Sequence, residues 1–351
     1  VEEKTIAEKD PSIVMVKVAY AQYQDSLFNM IARNWFIYSH LWSEVRNCNI
    51  SPLQEIKEIY GVTLRELFVY GIFLCNEDIG LSPNEEHEKE FEKSLGADYT
   101  QKGYAKFLDF FSCEQDEWNC DGTPPFYCLH PIIRSKDPCP KINEIAYFTP
   151  VKNKLMARVT SSIYFDLCDK FKVVGKINPF KKEFGEIFEQ YVGKILNEYL
   201  TSYVVTPEIV YKEGQNEVKS VDFFVKKNTD LVLIEVKQSS IFALSKTEGN
   251  QELLLEDLKK TVLKEVKQIN KSKDIIKEKK YSEFAPFFDA SRIVGLVVVN
   301  DPLYNANDLC RKIIDQETPM DDISIINVSD LEDFLDLQKE TQNFFDVLNE
   351  K

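Results

Sequence analysis

Histidines, long apolar runs and nucleotide-binding loops are scarce or missing in this sequence of 351 residues. Three histidines are too few to favour a Ser-His-Asp triad or a histidine-based nuclease mechanism. Apolar runs such as IVGLVVV (293–299) are far shorter than the roughly 20 residues that span a bilayer, so no membrane partner is expected. The sequence has no P-loop, G-x-G-x-x-G motif or internal repeat, which excludes these nucleotide-binding loops and repeat folds.

The eight cysteines include no C-x2–4-C pair of the kind that structural zinc sites use. Cys113, Cys120, Cys128, His130 and Cys139 offer zinc-ligand chemistry, but cysteines packed as small apolar residues are the preferred interpretation. A chain of this length builds a core without disulfides, and its first residues lack the apolar segment of a signal peptide. We therefore expect a reduced, cytoplasmic protein.

The net charge of −15 is unevenly distributed along the chain. Residues 1–150 and 281–351 each carry a net charge of −10, whereas residues 151–280 hold 24 basic and 19 acidic side chains, a net charge of +5. This middle part is the best candidate in the chain for binding the phosphate backbone of a nucleic acid. A lysine-rich face that is simply solvated explains the positive charge equally well. The densest basic stretch, 151–182, contains Lys152, Lys154, Arg158, Lys170, Lys172, Lys176, Lys181 and Lys182.

Residues 1–150 are expected to form a mainly α-helical domain of unknown role. Apolar residues recur at helical spacing from Ile13 to Val45, Ser51-Pro52 marks the start of another helix, and Thr63 with Glu66 forms a capping box. The helix after this box is apolar nearly all round, which makes a DNA-reading helix-turn-helix a weak alternative. The proline-rich and cysteine-rich stretch that follows, 112–150, predicts an irregular hinge.

Residues 151–351 are expected to form a second domain of the α/β class, with its core at about 180–330. The pattern alternates helices with short strands, which indicates a central mixed β-sheet flanked by helices. The predicted elements are a helix over Lys182–Leu200, strands at 203–211, 220–226 and 230–237, a helix at 251–280, a strand at 293–300, a helix at 306–315, a strand at 323–328 and a closing helix from Ser329.

The chemistry-bearing residues lie in the segment VDFFVKKNTDLVLIEVKQ. Asp222 interrupts one strand, and the apolar strand LVLIEVK turns charged at Glu235 and Lys237, whose side chains share a face because they are two residues apart. Carboxylates on a rigid sheet suit Mg²⁺, and the backbone carbonyl of Val236 is a further candidate ligand. The alternative is a surface hairpin with one salt bridge between Glu235 and a lysine, which the apolar strand disfavours.

The preceding helix adds a fourth candidate. At about 100° per residue, Glu189 lies on the shoulder of the apolar stripe around Phe188, whereas Glu186 points to the far side. We therefore expect Glu189 to reach the sheet edge and Glu186 to face water. Gly185 and Gly193 are expected to let this helix sit close to its neighbours.

This combination of Asp222, the E-V-K triplet at 235–237 and the helix GEIFEQYVGKIL resembles the PD-(D/E)XK nuclease superfamily, with its restriction-endonuclease-like fold. The resemblance covers about residues 180–330. It implies that Asp222 and Glu235 bind Mg²⁺, that Lys237 assists the attacking water and that Glu189 joins the site. The motif's proline is replaced by Val221, at a position that varies within the superfamily.

Related families place a Lys or Gln on the helix that follows the last catalytic strand. Lys264 and Gln268 resemble this pattern and, together with Lys181 and Lys182, are the candidate substrate-binding residues. The resemblance implies Mg²⁺-dependent hydrolysis of phosphodiester bonds, with Mn²⁺ as a substitute and DNA as the substrate. One such site cuts one strand, so cleavage of a duplex calls for a homodimer.

The alternative function is a catalytically inactive nuclease fold that binds nucleic acid or protein. Residues 1–150 remain open to several roles, which include a protein partner, target recognition and dimerisation. Restriction, defence and repair are equally compatible settings.

Overall fold

The computed structural model describes residues 27–44, 50–76, 80–81, 85–96, 99–118, 126–136, 146–238, 251–300, 311, 314–341 and 344–349. The chain divides into two compact units, which we call the helical unit (Gln24–Glu183) and the sheet unit (Phe184–Lys351). None of the helices in the described ranges is long and apolar enough to cross a membrane.

The boundary between the units lies 33 residues beyond the predicted boundary at residue 150. The two helices that follow residue 150 pack into the helical unit. Val159 fits so closely against Gly71 that a Cβ atom at Gly71 would lie 2.8 Å from the Val159 side chain. Lys170 forms ion pairs with Glu55 and Glu58. These contacts, together with the division after Glu183, assign residues 152–183 to the helical unit.

Helices make up most of the helical unit, as the sequence predicts. A π-helical turn at Phe36–Leu41 joins the first two helices. The helices are α1 (Leu27–Trp35), α2 (Trp42–Glu44), α3 (Pro52–Tyr60), α4 (Leu64–Asn76), α5 (Glu85–Leu95), α6 (Gln101–Phe111), α7 (Phe126–Leu129), α8 (Lys152–Val159) and α9 (Ile163–Val173). The part of the predicted first helix that precedes residue 27 lies outside the described residues.

The helix ends follow the predicted signals with one exception. The capping box is confirmed, because the Glu66 amide donates to Oγ1 of Thr63 at 3.2 Å and the Thr63 amide donates to Oε2 of Glu66 at 2.7 Å. Pro52 is the first residue of α3, but the Ser51 side chain makes no capping hydrogen bond. Helix α4 buries most of its surface, so it lacks the exposed face that a DNA-reading helix needs.

The stretch 112–150 is not simply irregular. It contributes three strands to a small sheet with the order β1-β4-β3-β2, in which only β2 and β3 are parallel. The strands are β1 (Gly80–Leu81), β2 (Ser112–Glu114), β3 (Ile132–Arg134) and β4 (Ala146–Phe148). Strands this short leave no alternating apolar pattern in the sequence, and prolines beside them suggest loops.

The sheet unit has the predicted α/β class and a mixed β-sheet. Helix α10 (Ile177–Tyr199) leads into it across the unit boundary. The elements after α10 are β5 (Val204–Pro207), β6 (Val210–Glu213), β7 (Asn216–Lys219), β8 (Phe223–Lys227), β9 (Asp230–Lys237), α11 (Gln251–Lys277), a 3-10 turn (Ser282–Phe287), β10 (Arg292–Val299), β11 (Ile323–Asn327), α12 (Val328–Thr341) and α13 (Phe344–Asn349).

The main sheet has the strand order β11-β10-β9-β8-β5. Strand β8 is antiparallel to both β5 and β9, whereas β9, β10 and β11 run parallel. The predicted strand at 203–211 is two strands, because β6 leaves the main sheet and pairs with β7 as a hairpin. The predicted helix at 306–315 lies largely outside the described residues.

Helices cover both faces of this sheet. Phe223 and Phe224 are consecutive in β8, so their side chains point to opposite faces. Phe224 packs in one core with Val262 and Val266 of α11. Phe223 lies against α10, where a Cβ atom at Gly193 would come within 2.8 Å of the Phe223 ring. Gly193 therefore permits the close approach that the sequence predicts, whereas nothing within 4 Å restricts Gly185.

Candidate active site

The buried face of β9 changes from apolar to charged at its carboxyl end. Leu231 and Leu233 pack against α11, and side chains two residues apart on a strand share a face. Glu235 and Lys237 continue this row, as predicted. Glu235 is only 6% exposed, which is inconsistent with a surface hairpin.

Asp222 lies beside Glu235 because of the strand register. Phe223 pairs with Ile234, so the next pair outward from the hairpin turn is Asp222 with Glu235. The amide of Val236 donates a hydrogen bond to Oδ2 of Asp222 at 2.7 Å, which fixes the Asp222 side chain at the strand edge. The proposed role of Val236 as a metal ligand involves its carbonyl and stays a prediction.

The two carboxyl groups are hydrogen-bonded to each other, and burial disfavours the charge on both. Burial, the charges of Asp222 and Glu265, and the shared hydrogen bond raise the pKa of Glu235 to about 10. Burial raises the pKa of Asp222 to about 6, although the Val236 amide and the hydrogen bond to Glu235 oppose this rise. Near neutral pH the pair therefore retains one proton, held mainly by Glu235.

Glu189 approaches this pair from α10, as the helical geometry predicts. Burial and the Asp222 charge raise the pKa of Glu189 to about 7, whereas Glu186 is exposed. Asp222 therefore lies within electrostatic range of carboxyl groups on both a strand and a helix.

Two acidic residues near the pair were not predicted from the sequence. Glu265 of α11 is buried and accepts a hydrogen bond from Nζ of Lys237 at 2.7 Å. Glu208, which precedes β6, pairs with Lys219 at 2.9 Å and contributes to the raised pKa of both Glu189 and Asp222. The helical spacing of Val262, Val266 and Ile269 was the available signal for Glu265, because it places residue 265 on the buried side of α11.

The candidate substrate-binding residues differ in their surroundings. Gln268 donates to the backbone carbonyl of Ser220 at 2.5 Å, so it supports the chain just before Asp222. Lys264 is exposed, and its charge lowers the pKa of Glu235 against the stronger effect of burial. Lys181 and Lys182 are exposed on the part of α10 that belongs to the helical unit. Contact of these lysines with a substrate stays a prediction.

The basic stretch 151–182 is only partly available for a ligand. Arg158 is buried and forms an ion pair with Asp166, while Lys170 pairs with Glu55 and Glu58. These cations hold the helical unit together. Lys172 and Lys176 are exposed, as a phosphate-binding or simply solvated face requires.

The zinc alternative finds little support among the described residues. Cys113 is buried in β2, and burial raises the pKa of its thiol to about 11, which disfavours the thiolate that binds zinc. Cys128 is half-buried and is not part of a disulfide bond. Cys120 and Cys139 lie outside the described residues.

The chemistry of the acidic residues suits a divalent cation. Oε1 of Glu235 and Oε2 of Glu265 are buried without a hydrogen-bond partner, and carboxylate oxygens are the ligands that Mg²⁺ prefers. In the parts of the chain that the structure describes, no three His, Cys, Asp or Glu side chains are already arranged to hold a metal ion. Asp222, Glu235 and Glu265 are neighbours, and their side chains would have to shift to surround a divalent cation.

Comparisons with protein-family models, with curated proteins and with solved structures find no match for this chain. The geometry of its own residues is therefore the basis for any functional assignment.

Proposed function

We propose that this protein is a Mg²⁺-dependent nuclease that hydrolyses phosphodiester bonds in DNA, in a cytoplasmic restriction, defence or repair setting. The observation that carries the proposal is the buried carboxyl pair Asp222–Glu235, with Lys237 on the same strand face as Glu235. The sequence resemblance predicts the same three residues. Their proximity in the fold is an independent observation, because it follows from the strand register.

The charge arrangement supports a cation-binding role. A buried carboxylate pair without a cation costs free energy, which the raised pKa values of Asp222 and Glu235 reflect. A structural carboxylate is usually paired with a cation, whereas Glu235 has one oxygen that is buried and unpaired. Such an arrangement is typical of a functional site.

Each residue of the set has a distinct role in the proposed reaction. Asp222 and Glu235 would hold Mg²⁺, and Glu189 would join them from α10. The bound cation would lower the pKa of a water molecule and neutralise charge on the phosphate. The Lys237 ammonium group is placed to orient the attacking water and to stabilise the developing negative charge.

The sheet topology also supports a restriction-endonuclease-like fold. Helix α10, strands β5, β8 and β9, helix α11 and strand β10 occur in the order that the sequence pattern predicts, with the β6–β7 hairpin between β5 and β8. The carboxyl pair sits where the antiparallel β8 meets the parallel β9. Cleavage of duplex DNA by a chain with one such site calls for two copies, so we include a homodimer in the proposal.

The test is cleavage of supercoiled plasmid DNA with Mg²⁺ or Mn²⁺ by the parent, Asp222→Ala and Lys237→Ala. Lys226→Ala is the matched control, because Lys226 also forms an ion pair on this sheet but lies near the hairpin turn. We expect the parent and the control to cut, and the two site variants to be inactive. Parallel reactions with single-stranded DNA and RNA define the substrate.

A non-enzymatic binding module is the competing function. A parent that cuts neither DNA nor RNA with either metal would support that function. Cleavage by both site variants at the rate of the parent would support it as well. A helix-turn-helix regulator makes a different prediction, in which removal of residues 1–150 abolishes DNA binding and Lys237→Ala does not.

A further inference from the structure

Glu265 is a buried acidic residue that the nuclease motif does not explain. It lies on α11 among Val262, Val266 and Ile269, which pack into the core of the sheet unit, and its side chain is only 4% exposed. An acidic side chain at such a position is costly unless it has a cationic partner. The partner is Lys237, whose Nζ lies 2.7 Å from Oε1 of Glu265.

This pair joins two rigid elements. Lys237 ends β9, which lies between β8 and β10 in the middle of the sheet, and Glu265 lies in the middle of the long helix α11. A lysine side chain has four flexible bonds, so a buried carboxylate on a packed helix restricts its ammonium group strongly. The Lys237 side chain is nevertheless 32% exposed, which leaves it accessible from solvent.

The pair is also part of the acidic site. The charge of Glu265 contributes to the raised pKa of both Asp222 and Glu235, so Glu265 lies within electrostatic range of both. The carboxylate that holds Lys237 is therefore next to the carboxyl groups that would bind the cation. In a surface ion pair such as Lys226–Asp289, by contrast, the carboxylate is not buried beside other acidic groups, because Asp289 is largely exposed.

We propose that Glu265 is a positioning residue that fixes the Lys237 ammonium group beside the Asp222–Glu235 pair. This inference rests on the proposed nuclease function, and it adds a residue that acts through Lys237. Glu265 determines where the ammonium group lies when DNA arrives, and Lys237 contacts the reacting phosphate or water.

The experiment combines two readouts on the full chain. The first is the rate at which each lysine is acetylated by N-hydroxysuccinimidyl acetate without metal, measured by peptide mass spectrometry. The second is steady-state DNA cleavage with Mg²⁺. Glu265→Gln preserves the shape and removes the charge, Glu265→Asp preserves the charge, and Asp289→Asn is the matched control.

Glu265→Gln should raise the acetylation rate of Lys237 about threefold or more, because a neutral amide holds an ammonium group less tightly. The rate at exposed Lys264 should stay unchanged. The same variant should lower kcat about 10-fold to 100-fold, as expected for a misplaced catalytic group, with KM within about twofold. Glu265→Asp should recover part of both effects, and Asp289→Asn should change neither readout.

An unchanged acetylation rate of Lys237 in Glu265→Gln would overturn the proposal, as would an effect on KM alone. If Glu265→Gln does not fold, Glu265→Asp decides, and an Asp variant identical to the parent in both readouts overturns the proposal. A parent that cleaves no nucleic acid refutes the proposed function, and the acetylation rates alone then decide whether Glu265 positions Lys237.

Discussion

The helical unit and the sheet unit both bury charged side chains, but their charges are arranged in opposite ways. In the helical unit, buried Arg158 pairs with Asp166, which also accepts a hydrogen bond from the Tyr60 hydroxyl. The Arg158 guanidinium group also lies over the ring of Phe111, at 5.4 Å from its centroid, and donates to the carbonyl of Leu129. Every charge in this cluster is balanced within it.

At the candidate active site of the sheet unit, carboxyl groups are brought together beside the Lys237–Glu265 ion pair. Asp222, Glu235 and Glu189 are carboxyl groups with raised pKa values, and each contributes to the pKa of a neighbour or is affected by one. Removing one partner from a balanced buried cluster is strongly destabilising, whereas a buried cluster of like charges lowers stability unless a cation binds it. The comparison contrasts a charge cluster that is balanced within the fold with the one that we propose to be functional.

The largest expected effect concerns activity in the sheet unit. Glu235→Gln should lower the rate of Mg²⁺-dependent DNA cleavage about 1,000-fold or more, because a neutral amide would hold Mg²⁺ much less tightly than a carboxylate. The thermal midpoint of the variant near neutral pH should equal or exceed that of the parent, because Glu235 is already protonated there. A variant that both cleaves DNA normally and unfolds earlier would place this cluster in the structural class.

In the helical unit, we expect a substitution in the buried charge cluster to lower stability. Arg158→Ala should lower its free energy of unfolding by about 3–5 kcal/mol, because Asp166 loses its buried partner. Tryptophan fluorescence during urea unfolding reports this unit specifically, since Trp35, Trp42 and Trp118 all lie within it. Lys170→Ala is the control and should cost much less, because its ion pairs are partly exposed. Equal losses in both variants would contradict the distinction.

The pH dependence of stability provides a third comparison. The pKa of Glu235 is raised from 4.5 to about 10, so the folded state binds an extra proton between these values. Its contribution is fully present below pH 4.5 and is lost as the pH rises towards 10. The raised pKa values of Asp222 and Glu189 are about 6 and about 7. Of these three carboxyl groups, Glu235 is therefore the one that loses its proton between pH 7 and 10.

The stability of the parent should therefore fall relative to Glu235→Gln over this range, by up to about 1.4 kcal/mol per pH unit. Hydrogen exchange of peptides from the sheet unit, without divalent cations, measures the difference. Parallel pH profiles for the parent and the variant would mean that Glu235 holds no extra proton.

The smallest expected effect concerns Gln268. Gln268→Ala removes the hydrogen bond to the carbonyl of buried Ser220 and should cost about 1–2 kcal/mol of stability. It should also lower cleavage activity, because Ser220 leads directly into Asp222. Asn270→Ala removes a similar bond to the carbonyl of Pro319, so it should lower stability without affecting the reaction. Equal activities of the two variants would show that Gln268 has only a structural role.

The sequence predicts the strand-borne part of the site well and the helix-borne part only partly. Glu235 and Lys237 stand out because an apolar run becomes charged, and period-two alternation places them on one face. Glu189 follows from the apolar stripe around Phe188. Glu265 escapes notice because it lies in a helix rich in lysine and glutamate, where a charged residue resembles a solvated one until the fold shows which side is buried.

The limits in the helical unit have a similar physical origin. The small sheet uses strands of two or three residues, which are too short to show alternation. The predicted boundary at residue 150 differs from the division after Glu183 because a change in composition does not report packing. Only contacts such as those between Lys170 and Glu55 show which unit the next helices join.

The hairpin that carries the acidic pair also implies an order of assembly. Strands β8 and β9 are joined by a tight turn at Asn228 and Thr229, with Asn228 in the left-handed region at φ 56°. Hairpins form within microseconds, and the apolar pairs next to the turn close a shorter loop than Asp222 and Glu235 at the open end. Closing the shorter loop costs less conformational entropy, so we expect the apolar pairs to set the strand register before the two acidic side chains become buried side by side.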